Sequence, residues 1–115
     1  MGIECTEIEV IHKAKFEDEI DVKVATVLVP TETSTMDALE YAYRWTNNVN
    51  GSWSRGKQLS DGEENGDYNG FVTVVEPLEK DASGKEWGHR STSMGDHMIH
   101  KGTEYKVSMV GFTVA

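Results

Sequence analysis

Residues 31–48, TETSTMDALEYAYRWTNN, decide the fold. Ser34 followed three residues later by Asp37 is a capping box in its acidic form, and MDALEYAYRW contains good helix formers and no breaker. The pattern predicts one principal helix from about Thr35 to Thr46, ending in the asparagines. Met36, Leu39 and Tyr43 share one face at helical spacing, while Ala38, Tyr41 or Ala42, and Trp45 fall on an adjacent one. So wide an apolar arc has two readings. The helix lies in a deep groove of its own sheet, or it packs on the sheet with one face and on a second copy of the chain with the other.

On the N-terminal side the period changes from helical to alternating. Ile8, Val10 and His12 alternate with Glu7, Glu9 and Ile11, and a β-branched run follows from Ile20 to Val29. The acidic FEDE between them reads as a hairpin tip, the second strand as central in its sheet, and Pro30 as its end. On the C-terminal side FVTVVEPL predicts a strand ending at Pro77, KDASGKEW a turn, and HMIHKGTEYKVSMVGFTV a β-hairpin split at Lys101-Gly102. Together these predict a single α+β domain over residues 1–115, mainly antiparallel sheet with one helix.

The chain carries 20 acidic and 11 basic residues, a formal net charge of −9. A surface of that sign repels phosphate backbones and anionic membranes, so nucleic acid is an unlikely partner, while a basic surface on a host protein is a possible one. The acids are densest at Glu17, Asp18, Glu19 and Asp21 and at Asp61, Glu63, Glu64 and Asp67; both patches read first as solvated loops and, more sharply, as DNA mimicry. No run approaches the roughly 18 apolar residues of a membrane span. A single cysteine, Cys5, in an N-terminal strand pattern reads as packing, and with no secretory start a cytoplasmic setting is expected. Gly2 with Thr6 gives only the loosest part of a myristoylation pattern.

Residues 47–70 form a long Asn-, Gly-, Ser- and Asp-rich segment. Trp53, beside Arg55 and Lys57, either pins this loop or belongs to a lid that brings an aromatic face and a cation to an anionic ligand. Catalysis is not expected: no serine or cysteine is placed with a histidine, no P-loop or dinucleotide fingerprint is present, and no cofactor is implied. A metal site at His97 and His100 is disfavoured, because residues three apart on a strand face opposite ways.

The segment 87–96, WGHRSTSMGD, holds the strongest candidate for a ligand site. Phosphate is bound by a planar guanidinium, by hydroxyl donors and by successive backbone N–H groups in a glycine turn, and Arg90, Ser91, Thr92, Ser93 and Gly95 offer all three. Trp87 adds a stacking surface unless it faces the core. The competing reading is turn chemistry, with Gly95 in a turn conformation and Asp96 tying the backbone.

The helix and loop from Thr33 to Trp53, the RSTSMGD of Arg90 to Asp96 and the VGF of Val110 to Phe112 together resemble small accessory proteins encoded by phages and mobile elements. Among these the chain is similar to the Thoeris anti-defence sponges, phage proteins that capture a cyclic ADP-ribose signal and starve a host effector. The resemblance covers about half the chain. It implies a non-enzymatic α+β homo-oligomer with ligand pockets near subunit contacts. Arg90 would neutralise pyrophosphate, Ser91 and Thr92 would donate hydrogen bonds, and Asp96 would accept from ribose hydroxyls. On this reading Arg90→Ala abolishes binding and leaves the fold intact. The alternative is an acidic protein-interaction inhibitor.

Overall fold

The computed structural model describes residues 4–59, 62–109 and 111–115. Gly2, Asp61 and Val110, each of which carries a sequence expectation, lie outside the described residues. The helix forms where the capping pattern places it. α1 spans Thr35–Trp45, and Ser34 Oγ accepts the Asp37 amide at 3.2 Å. Thr46 closes the other end, its backbone N–H and its hydroxyl both turned back on Ala42 O.

The strands are β1 (Cys5–His12), β2 (Val22–Pro30), β3 (Val72–Val74), β4 (Glu79–Lys80), β5 (Glu86–Trp87), β6 (His97–His100), β7 (Thr103–Ser108) and β8 (Gly111–Val114). Six of them make one antiparallel sheet ordered β3-β2-β1-β6-β7-β8, and β4 pairs with β5 in a separate ribbon. The chain is therefore α+β, as the change of period predicts. Overall extents of 44 × 43 × 22 Å match one sheet covered on one side by a single helical layer.

Alternation decides which face is covered. Ile8 and Val10 of β1 oppose Val27 and Ala25 of β2, and Val10 opposes Met98 of β6; all are buried on the helix side. Ala38, Leu39 and Ala42 meet them, two of the three small enough to bring the helix backbone close. Leu39, fully buried, contributes about 1.5–3 kcal/mol by its removal from water. The rest of the wide apolar arc also has intramolecular partners: Tyr43 meets Phe112 edge-on at 6.1 Å, Tyr41 packs on Trp45 at 6.4 Å, and the Tyr41 hydroxyl accepts from Asn69. The groove reading accounts for these residues, while Met36 stays half exposed.

Several expectations are corrected. KDASGKEW does turn, at residues 81–84, but the turn joins a short two-stranded ribbon in which Glu79 pairs with Trp87 and Lys80 with Glu86. The C-terminal hairpin turns at Lys101-Gly102 as predicted, both residues having positive φ (51° and 81°) as a type I′ turn requires, but it continues through β8 into a meander. Cys5 is exposed at the start of β1. No helix among the described residues is long and apolar enough to cross a membrane.

The 47–70 segment is tied from within. The fully buried Asp67 carboxylate accepts the amides of Val49 (2.7 Å), Asn50 (2.9 Å) and Gly51 (2.7 Å), with Arg44 Nη2 at 3.3 Å. Burial alone would push this carboxyl up; the three amides and Arg44 outweigh it and hold it below the ordinary value. Asn65 links the same strands of loop by accepting from Ser52 N and donating to Ser52 O and Gly56 O. Asp67 is thus no part of a solvated acidic patch, in contrast to the exposed Glu17, Asp18, Glu19 and Asp21.

Candidate functional site

β2 carries a bulge where the pairing of Val10 and Ile11 steps from Ala25 to Lys23. The extra residue, Val24, is buried, and its carbonyl accepts Val75 N at 2.9 Å. Residues between Glu76 and Arg90 pass close to it. Between them, the 13–21 loop and the floor of His12, Val22 and Val24 lies a cleft of about 330 Å³. Trp87, Arg90, Lys13, His89 and three carboxylates, Glu19, Glu76 and Glu79, also line it, with apolar Ile20.

Of the RSTSMGD segment only Arg90 lines this cleft, and most of the segment's polar groups face inward. The Asp96 carboxylate is fully buried and takes both guanidinium nitrogens of Arg90 (2.7 and 2.9 Å), the Ser93 amide (2.8 Å) and the Lys13 amide (2.9 Å). Lys15 Nζ stands 3.4 Å away. Burial opposes ionisation of Asp96, yet the Arg90 hydrogen bonds and the two amides hold its carboxyl well below the usual carboxylate range. Gly95, at φ 95°, lets its own N–H reach Val107 O, and Val107 N returns to Asp96 O. The turn reading therefore describes Met94 to Asp96.

Thr92 is buried as well. Its hydroxyl donates to Thr46 Oγ1 at 2.8 Å and accepts from His12 Nε2 at 3.0 Å, while its amide bonds to Thr46 O. Ser91 Oγ accepts the Asn48 amide at 2.8 Å. Ser91, Thr92 and Asp96 are consequently committed to holding β1, α1 and the 47–53 segment together. The same geometry argues against the expectation that Arg90→Ala leaves the fold intact: that variant takes the guanidinium from a buried carboxylate and leaves it two amides and Lys15.

The two tryptophans diverge. Trp53, 2% exposed, donates from Nε1 to Arg90 O at 2.8 Å, lies 5.9 Å from the His89 ring and meets His12 edge-on at 6.1 Å. It pins the loop as a core residue, which corrects the lid reading. Trp87, 55% exposed, stands on the β4–β5 ribbon at the cleft wall, with Lys85 Nζ 5.0 Å from its ring centroid. Of the six sequence candidates, Trp87 and Arg90 line the cleft; Ser91, Thr92, Asp96 and Trp53 do not.

Sequence reasoning missed His12, Lys13, Glu19, Glu76, Glu79 and His89 as cleft residues. His12 carried a signal, being the polar member of the inward series Ile8, Val10, His12. Its ring pKa is lowered to about 4, first because burial penalises the charged form and then because Arg90 repels it, so the ring is neutral at pH 7. Lys13 pairs with Asp21 at 2.8 Å, as Arg90 does with Asp96, so both cations of the cleft come with a carboxylate attached. Among the described residues no group of three or more His, Cys, Asp or Glu is arranged to hold a metal. No family model, curated protein or solved structure matches the chain.

Proposed function

We propose that this chain is a non-catalytic, phage-type accessory protein that captures a small phosphorylated nucleotide signal in the cleft beside Arg90. The observation that carries the reading is the convergence of an exposed indole, Trp87, with Arg90 and Lys13 on one cleft of about 330 Å³, a volume suited to a nucleotide-sized ligand. Trp87 offers a face for a base, and the guanidinium, 40% exposed on its side chain, gives its terminal N–H groups to Asp96, Ser91 O and, at 3.4 Å, Lys13 O, which leaves Nε–H for a phosphate oxygen. The resemblance adds a homo-oligomer working in the host cytoplasm. Native mass spectrometry of gently purified protein, repeated with cyclic and linear nucleotides, tests this: a symmetric oligomer gaining one ligand mass per site is expected. A bare protein indifferent to every nucleotide would overturn it.

A second reading has its own observation. Glu19, Glu76 and Glu79 line the same cleft around Trp87, and its two cations are already paired, so the local balance is negative. An aromatic face ringed by carboxylates suits a lysine or arginine side chain of a basic partner protein. Such a complex weakens steeply with salt and responds to charge reversal at Glu19 rather than to loss of Arg90.

A further inference from the structure

The proton positions at the floor of the cleft are fixed by a chain of hydrogen bonds. Thr46 donates its hydroxyl to Ala42 O at 2.7 Å, and a carbonyl can only accept. Thr92 must then donate to Thr46 Oγ1, which leaves the Thr92 oxygen as the acceptor for His12. His12 Nε2 therefore carries the ring proton, and Nδ1 holds a lone pair. Nδ1 has no partner among the described residues and is not among the buried unpartnered atoms, so it opens on the cleft that His12 lines. Apolar Ile20, Val22 and Val24 line the same cleft. The cleft thus combines an imidazole acceptor with apolar side chains, while Arg90 and the carboxylates of Glu19, Glu76 and Glu79 share its lining.

We propose that His12 reads the base of the captured nucleotide, taking a hydrogen bond from a base N–H through Nδ1, so that the cleft selects purines bearing such a donor. The assignment rests on the capture reading above. The flat ring sits among the valines against Trp87, its amino or ring N–H edge directed at His12, and the phosphate lies toward Arg90. Thr92 and Thr46 do not touch the ligand; they position the imidazole by dictating its tautomer.

Two measurements test this on the intact protein. Long-range proton–nitrogen NMR of the free protein at pH 7 is expected to show the His12 proton on Nε2; a proton on Nδ1 overturns the assignment without reference to any ligand. Titration with adenosine and guanosine 5′-monophosphates and with purine riboside 5′-monophosphate, which keeps ring, ribose and phosphate but has no base N–H, follows. At least one of the two natural nucleotides should bind about tenfold more tightly than purine riboside monophosphate, the scale of one hydrogen bond. Equal, measurable affinities overturn the role of His12 and leave capture standing. Binding of none of the three, with the expected tautomer, overturns capture and this assignment with it.

Discussion

Trp53 and Trp87 occupy closely similar sequence settings, NGSWSRGK and SGKEWGHR, each polar, glycine-flanked and next to cations, yet one is core and the other is surface. The difference lies in what each segment can do with its backbone. Around Trp53, Asn65 and Asp67 reach back more than ten residues to satisfy the amides of 49–52, and Arg90 O receives the indole N–H, so the loop can be buried without orphaned polar groups. Around Trp87 the side-chain ties are local: Asp81 accepts from Ser83, Lys85 and the indole itself. A tryptophan flanked by polar residues is buried when distant carboxamides and carboxylates bring acceptors to it.

The largest test of this contrast lies at its shared support. Asp96→Ala removes the acceptor for two amides and Arg90, and a loss of about 3–5 kcal/mol in denaturant unfolding is expected, with Arg90→Ala near the lower end. Loss below about 1 kcal/mol in both would mean that the buried pair is not structural. Trp53→Ala comes next: truncation of a buried aromatic should cost about 3–5 kcal/mol. If it unfolds no more easily than Trp87→Ala, the comparison fails.

Acidity sharpens the same boundary. The folded state keeps His12 neutral down to about pH 4, whereas the unfolded chain takes up a proton near the ordinary value of 6.5. Its contribution is therefore complete above pH 6.5 and lost as pH falls from about 6.5 to about 4. The charged groups acting on this ring are Arg90, Asp96, His89 and Lys15, of which Asp96 favours the charged form. Buried His100, also lowered by desolvation, adds to the slope. The Asp96 contribution, from a depressed carboxyl, persists through this window and fades only below its ordinary value of 3.8. Unfolding midpoints that stay flat from pH 6.5 to 4 would contradict the burial of these rings.

How much of this was legible varies with distance along the chain. Ser34, Asp37 and the helix formers announced α1 because caps and propensities act within four residues. The Lys101-Gly102 turn was equally local. For Asp96 the turn reading was local and holds at the Ser93 amide, but the second amide it takes, that of Lys13, lies 83 residues away, as His12 lies 80 residues from Thr92; a hydroxyl or carboxylate in sequence looks the same whether it awaits a ligand or a distant partner. Trp87 and Arg90 could be named as candidates, but the cleft joining them depends on the β2 bulge and on the path of residues 76–90, neither of which leaves a periodic trace.

A smaller effect is expected at the junction of the two tryptophan regions. A Cβ on Gly88 would lie 2.3 Å from Ser52 Oγ and 3.1 Å from Ser54 Oγ, so Gly88→Ala forces the Ser52 hydroxyl to turn away or the ribbon to shift from the loop. A cost of about 1–2 kcal/mol is expected, with weakened nucleotide binding, since Trp87 is the adjacent residue. Unaltered stability and binding would show that the ribbon position does not depend on this contact.

The smallest expected change in stability belongs to Trp87→Ala, the variant in which ligand binding and folding should part most clearly. Calorimetric titration of wild type and Trp87→Ala with a panel of cyclic and linear adenine nucleotides, beside their unfolding midpoints, separates ligand contact from scaffold. Saturable binding by wild type is expected, with a loss of at least tenfold in the variant and stabilities within about 0.5 kcal/mol of each other. Equal nucleotide affinities in the two proteins, or no binding by wild type alongside salt-sensitive binding of a basic peptide, would contradict nucleotide capture at Trp87.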